Sequence, residues 1–221
     1  MTLRHALTFA AAVLACAITG TAAGAEQDLS TNARLLLAAR NGDAAGVDRA
    51  LKAGGAANAR NRLGETALLI AIKRNDLAMA ELMLSAGTDV NQAAVNGVTP
   101  LMAAAYGGHA ALAAALLAKG ADVKATDRLK KTAMTYAAGE GRTEIVRLLL
   151  GRGVDVNAIY ENDLTALMWA AGFGRTATVK ALLDAGAQPA LKDNRGKTAL
   201  DIARENQHPE TAALLENAGR G

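Results

Sequence analysis

Residues 97–123 read GVTPLMAAAYGGHAALAAALLAKGADV, and this stretch decides the fold. Thr99 precedes an apolar run, where its hydroxyl can accept from a free amide in the first turn of a helix. Pro100 takes the first helical position, which needs no N–H. Ala104 and Ala105 keep that helix thin enough to lie close to a neighbour, and Gly108 breaks it, left-handed backbone being least costly for glycine. A second helix follows with Leu116 and Leu117 on its buried side, and Gly120 stands at C′ beyond its end. The stretch is therefore two short helices, a tight turn between them and a glycine stop.

The same unit returns every 33 residues. Thr66, Thr99, Thr132, Thr165 and Thr198 share one register, and Ala38, Ala71, Ala104, Ala137, Ala170 and Ala203 share a second. A third holds Gly54, Gly87, Gly120, Gly153, Gly186 and Gly219. Gly141 and Gly174 repeat the inter-helix break, while Leu149-Leu150 and Leu182-Leu183 repeat the buried leucines. A fixed period of this length marks units that cannot bury their apolar faces alone and must stack. The expected fold is all-α, a solenoid of about six helix-turn-helix units at roughly 28–60, 61–93, 94–126, 127–159, 160–192 and 193–221.

The phased residues resemble the ankyrin repeat. They are Gly97-Val98-Thr99-Pro100-Leu101-Met102-Ala103-Ala104-Ala105, Leu116-Leu117-Ala118-Lys119-Gly120-Ala121-Asp122-Val123, Thr165-Ala166-Leu167-Met168-Trp169-Ala170-Ala171-Gly172 and Gly153-Val154-Asp155-Val156-Asn157. The resemblance runs from about residue 31 to the end. It implies antiparallel helix pairs joined by β-hairpin-like loops in a curved ankyrin-repeat solenoid, with a protein partner held by the hairpin tips and the exposed side of the first helices.

The departures from that pattern are specific. Leu69, Met102, Thr135, Met168 and Asp201 stand where the family has the His of Thr-Pro-Leu-His, so the inter-repeat bonds of that His are not expected. Lys130 and Asp163 stand at the hairpin glycine, and Asn75 and Gln207 at the inter-helix glycine; Asn tolerates left-handed backbone next best. In the first unit Ala33 replaces the capping Thr, amid Arg34, Arg40, Asp43, Asp48 and Arg49. The last unit carries Arg204, Glu205, Asn206, Glu210 and Glu216. Solenoid ends face water, so these charges predict built-in caps and one complete domain.

Only 3% of the 221 residues are aromatic, so the core must come from Ala, Leu, Val and Met. The formal charge of +3 spreads over 24 basic residues interleaved with 21 acids, and with no basic stripe no nucleic-acid partner is expected. Arg4 and His5, the run Ala6 to Ile18, and Ala23-Gly24-Ala25 before Glu26 form a signal-peptide layout over residues 1–25. The apolar run is shorter than the ~20 residues a bilayer span needs, so no membrane span is expected. Cleavage lowers the formal charge to +2 and removes Cys16, the one cysteine, leaving neither disulfide nor thiol nucleophile. The expected destination is the periplasm. Secretion is one alternative; lipid anchoring through Cys16 is another, because Val13-Leu14-Ala15-Cys16 resembles a lipobox, with Leu14 where a small residue is usual.

No residue pattern points to catalysis. His109 and His208 fall in different units with no converging metal ligands. Ser30 and Ser85 lack nucleophile-elbow flanks, and no phosphate-loop motif occurs. Glu161 and Asp163 read as a solvated tip rather than a carboxylate pair. The expectation is a monomeric, non-catalytic protein–protein interaction module with no cofactor, metal or catalytic residue.

Function should then lie at loop tips and first helices, where a rigid scaffold presents variable side chains. The partner-binding candidates are Arg62, Leu63, Glu65, Lys73 and Arg74, then Val95, Asn96, Val98 and Tyr106, then Arg128, Leu129, Lys131 and Glu140. Glu161, Asn162, Leu164, Phe173, Asn194, Arg195 and Lys197 continue the series. Tyr106 and Phe173 stand out, because aromatic residues are enriched among interface hot spots. Tyr136 and Trp169 precede the Ala pairs, a position expected in the core. The basic tips suit a partner with acidic segments, engaged mainly by Arg62, Arg128 and Lys131, although ordinary surface solubility accounts for them too. Ala-Leu-Met-Trp-Ala-Ala-Gly at 166–172 resembles exported ankyrin proteins of proteobacteria. That resemblance implies a periplasmic adaptor that stabilises, inhibits or positions its partner, with a secreted effector or a lipid-anchored envelope scaffold as the alternatives.

Overall fold

In the computed structural model, residues 29–219 are described; the signal-peptide reading and Cys16 lie outside them. Twelve α-helices form six antiparallel pairs among these residues. They are α1 (Thr31–Asn41), α2 (Ala44–Lys52), α3 (Ala67–Lys73), α4 (Leu77–Ser85), α5 (Pro100–Gly107) and α6 (Ala110–Ala118). The series continues with α7 (Ala133–Gly139), α8 (Thr143–Leu150), α9 (Ala166–Gly172), α10 (Thr176–Asp184), α11 (Ala199–Glu205) and α12 (Pro209–Ala218).

The recurring threonines cap as their register requires. Thr66, Thr99, Thr132, Thr165 and Thr198 each accept through Oγ1 from the amide three residues on, at 3.2–3.3 Å. The residues in place of the family's His return the bond. Thr135 Oγ1 accepts from the Thr132 amide at 2.9 Å, Asp201 Oδ2 from Thr198 at 2.9 Å, and the Met102 and Met168 sulfurs from Thr99 and Thr165. This is a reciprocal capping box built from four different pairs. The first unit differs: α1 starts one turn earlier than the period places it, with Ser30 as its cap in place of Ala33.

The lost inter-repeat bonds are replaced from another position. Arg142 Nε donates to the Tyr106 carbonyl at 3.2 Å, and Arg175 Nε to the Gly139 carbonyl at 2.9 Å. His208 Nε2 meets the Gly172 carbonyl at 3.2 Å. All three sit at the start of a second helix and reach back to carbonyls at the end of the preceding unit's first helix, where the two arginine cations suit the helix dipole. The inter-helix turns are left-handed throughout, including Asn75 (φ 55°) and Gln207 (φ 60°) where glycine is replaced.

One apolar core runs the length of the stack, from Leu35 and Val47 to Ala212 and Leu215. Ala104, Ala105, Ala137, Ala138, Ala170 and Ala171 are fully buried. Without longer side chains between them, the first helices contact one another more closely than the second helices do, and the stack bends with its first helices inward. In the last three units, Thr143–Thr178 and Thr176–Thr211 hydroxyl bonds at 2.7 and 2.9 Å add to the apolar contacts between second helices.

The loops add two ladders along the stack. Each tip closes on itself by one hairpin-like bond, such as the Asp127 amide to the Lys131 carbonyl at 3.0 Å. Successive tips are joined by the Val95 amide to Leu63 carbonyl, Arg128 to Asn96, and Asn194 to Asn162, at 2.8–3.1 Å. Behind them, Asn58, Asn91 and Asn157 accept from amides of the next loop at 2.8 Å, and Asn32 on α1 accepts from Ala56 within the first unit. Among the described residues both ladders skip the same step, between the fourth and fifth units. Lys124 occupies the missing asparagine's register there, and no backbone bond joins the Leu129 and Glu161 tips.

The tip gap falls where a glycine is replaced. A Cβ on Gly64 would lie 2.9 Å from the Val95 amide nitrogen, and one on Gly97 2.9 Å from Asp127 Cα. Glycine leaves room for the second-to-third and third-to-fourth contacts, while the fifth tip meets the sixth with Asp163 at the same position. Lys130 stands at that position in the fourth unit, with φ 55°, and reaches the fifth tip through its ammonium, 3.5 Å from Glu161, in place of a backbone bond. In the fifth unit, Asn162 and Asp163 are both left-handed and the tip winds into a short 3-10 turn, Glu161–Asp163.

Candidate functional site

The first helices α5, α7 and α9 present a run of rings on the inner side. Tyr106 and Tyr136 meet edge to face with centroids 5.9 Å apart, and Trp169 and Phe173 stack at 6.2 Å with planes 8° apart. Lys131 joins the two pairs, its Nζ lying 5.5 Å from the Tyr136 ring centre and 5.0 Å from that of Trp169. Each such contact is worth about 0.5–2 kcal/mol, depending on how far water is excluded. Gly139 lies beneath the second pair: a Cβ there would be in ordinary contact with the Phe173 ring at 3.5 Å and with Trp169 at 3.7 Å.

A buried carboxylate fixes this array from below. Tyr136 Oη donates to Asp127 Oδ2 at 2.6 Å, while Asp127 Oδ1 accepts the Leu129 and Lys131 amides at 2.8 and 2.9 Å. Burial, then the hydrogen bond to Asp127, pushes the Tyr136 phenol far above its usual range. It stays a neutral donor. Tyr160 is also raised, chiefly by burial. Trp169 Nε1 is shielded from solvent and donates to no atom among the described residues.

Tyr106 is 56% and Phe173 51% exposed on this face. Tyr136 and Trp169, expected in the core, are only partly buried: their inner edges pack on it and their faces belong to the exposed array. The packed Ala pair beside them leaves the core no space for whole rings, so the rings lean inward over the concave face. Every aromatic residue of the described chain lies in this array or, for Tyr160, in the cleft beside it.

Two depressions flank the rings. One of about 470 Å³ is lined by Asn96, Val98, Met102, Ala103, Tyr106 and Tyr136, with Lys73 at its edge. The other, about 350 Å³, opens where the tip ladder skips and is lined by Arg128, Leu129, Lys130, Lys131, Thr135, Tyr160, Glu161, Asn162 and Trp169.

The candidates chosen from sequence fall into three groups. Leu63, Val95 and Leu129 are exposed apolar tip residues, with Asn96 and Asn162 lending their carbonyls to the tip ladder. Several charged candidates are already engaged. Lys73 pairs with Glu65 at 2.6 Å, Arg195 with Asp193 at 2.7 Å, and Glu161 with Lys130 at 3.5 Å. Lys197 pairs with Glu205. Arg74 is a brace, donating to the Arg40 carbonyl at 3.1 Å. Burial would raise the Glu65 carboxyl, but bonds from Lys73 and Asn61 outweigh it and hold it below the usual value. Arg62, Arg128 and Lys131 face no carboxylate within 4 Å among the described residues; the structure brings the last two together and leaves Arg62 at the second tip. Asp127 and Tyr160 went unnoticed in sequence, as did Ile159, 64% exposed beside the fifth tip. The one available signal was Tyr136 and Trp169 in a single register, one period apart.

Stacked helix pairs with protruding tips and an inner face of rings define a binding solenoid. A family model described as ankyrin repeats, three copies, matches residues 35–127, 79–160 and 134–220. The chain belongs to the ankyrin-repeat family, whose members are in general non-catalytic protein-interaction modules. A search of curated proteins returns no significant match. Among the described residues no helix is long and apolar enough to cross a membrane, and no group of His, Cys, Asp or Glu could hold a metal ion.

Proposed function

We propose that this protein is an exported adaptor of the periplasm that holds one partner protein against its concave face and stabilises, inhibits or positions it. The observation that carries the reading is the array Tyr106–Tyr136–Lys131–Trp169–Phe173. Four of the chain's six aromatic residues are gathered on one exposed face of a rigid stack. Rigid rings give large contact area at small entropic cost, which is why Tyr and Trp dominate interface energetics. The export half of the reading rests on the basic, apolar and small-residue layout of residues 1–25.

Crosslinked affinity capture from the cell envelope tests the adaptor role, comparing the native chain with a Tyr106→Ala/Phe173→Ala variant. One enriched protein, lost from the variant, is the expected result. No enrichment, with turnover of a small substrate instead, would reverse it. Fractionation tests the address: release into the medium would favour an effector acting on another cell. Mass labelling at Cys16, abolished in Cys16→Ser, would favour a lipid-anchored scaffold.

A further inference from the structure

We propose that the cleft between the fourth and fifth units is the anchoring pocket of the partner, and that it takes an extended acidic segment with carboxylates beside aliphatic side chains. The proposal rests on the adaptor reading and adds the chemistry of what is held.

The cleft is open at one step of the stack. Lys130 stands there at the position that Gly64 and Gly97 hold in the tips that bond their successors, and the asparagine ladder is interrupted by Lys124 at the same step. The Leu129 carbonyl and Glu161 amide therefore lack the tip-to-tip bond made elsewhere in the stack. One acceptor and one donor are left for a passing peptide backbone.

The walls are apolar and the fixed charge is positive. Leu129 is 64% exposed at the rim, and Trp169 and Tyr160 form the sides. Arg128 and Lys131 have no carboxylate within 4 Å among the described residues; Glu161 is engaged with Lys130, Asp127 with Tyr136 and two amides, and Asp163 is exposed at the fifth tip. Lys131 is held between two ring faces, so its ammonium loses little freedom when a carboxylate arrives. Unneutralised cations beside an apolar wall complement an acidic, partly aliphatic segment in charge and in surface. An extended chain fits a slot between two loops, where a folded surface would meet the tips first.

Trp169 is the chain's only tryptophan, so its emission reports on this cleft alone. The test titrates the purified chain with a blocked peptide repeating Glu-Glu-Leu-Gly-Ser twice, with its Gln-for-Glu counterpart and with an oligothymidylate. The expected result is a saturable emission change with the Glu peptide and at least tenfold weaker binding of the Gln peptide. Arg128→Gln/Lys131→Gln should weaken the Glu peptide about tenfold, and Lys119→Gln, at the end of the second helix α6, should not. Lys130→Gly lets the tips close and should weaken binding several-fold without lowering the unfolding midpoint. No saturable change, equal affinity for the Gln peptide, or tighter binding of the oligothymidylate overturns the proposal. Captured partner retained in full by Arg128→Gln/Lys131→Gln would leave the adaptor standing and remove this pocket. Peptide binding with no captured partner would do the reverse.

Discussion

Gly97 and Gly196 occupy the same position in two tips, with φ of 84° and 77°, yet replacing them by alanine should have unequal effects. Any L-residue there carries the left-handed penalty, roughly 1–2 kcal/mol. At Gly196 nothing lies within 4 Å of the added carbon, so that penalty is the whole cost. At Gly97 the carbon would come 2.9 Å from Asp127 Cα and 3.0 Å from the Arg128 nitrogen, which are backbone atoms that cannot swing aside. The fourth tip must withdraw, and the Arg128 amide to Asn96 carbonyl bond of 3.1 Å is lost, at about 1 kcal/mol. Residual crowding adds to this, so Gly97→Ala should exceed Gly196→Ala by about 1–2 kcal/mol. Urea unfolding followed by circular dichroism measures the difference. With a slope near ~2 kcal/mol/M the midpoints should separate by about 0.5–1 M. Equal losses within ~0.3 kcal/mol would refute the claim that glycine at 97 is what lets the third and fourth tips meet.

Arg175→Ala removes the bond to Gly139 across the step where both loop ladders skip, so it should cost about 1–1.5 kcal/mol and let the last two units exchange amide hydrogens sooner. Arg142→Ala removes the equivalent bond to Tyr106 where the ladders are continuous, and should cost a similar amount without that early opening. Acid should destabilise the C-terminal unit. The Thr198 amide and hydroxyl hold Asp201 below the usual carboxylate range. Burial would raise Asp193, but bonds from the Lys197 and Arg195 amides and the Arg195 guanidinium outweigh it and hold it low. Such depressed carboxyls add stability above the unfolded pKa, near ~4, and lose it as pH falls through the folded value. Asp201→Asn should therefore lower stability at pH 7 and flatten its decline between pH 5 and 2, read from urea midpoints. Ala170→Leu puts three extra carbons between α7 and α9, where Ala170 is fully buried, and thermal unfolding should show a loss of about 1–3 kcal/mol.

Much of the architecture was legible because every unit repeats one local solution. The threonine caps, the left-handed turns at Asn75 and Gln207, and the Ala-Ala contacts each follow from residues within a few positions of one another. The first helix was misplaced because Ser30 offers a cap three residues before the period would place one. Tyr136 and Trp169 pack on the core as their register beside buried alanines predicts, but only in part. Which face of each ring stays exposed depends on the neighbouring unit, here on Lys131 over both.

What the sequence determined by itself is the repeat: its period, its caps, its breaks and the narrow helices that force a bend. It also marked Lys130 and Asp163 as departures, because glycine's tolerance of positive φ is a property of one residue. Only the tertiary structure decided what those departures do. The distance between two tips depends on side chains 32 residues apart, so the open step, the bare cations of Arg128 and Lys131 beside Trp169, and the pairing that removes Lys73, Arg195 and Glu161 from the free surface all arise when neighbouring units meet.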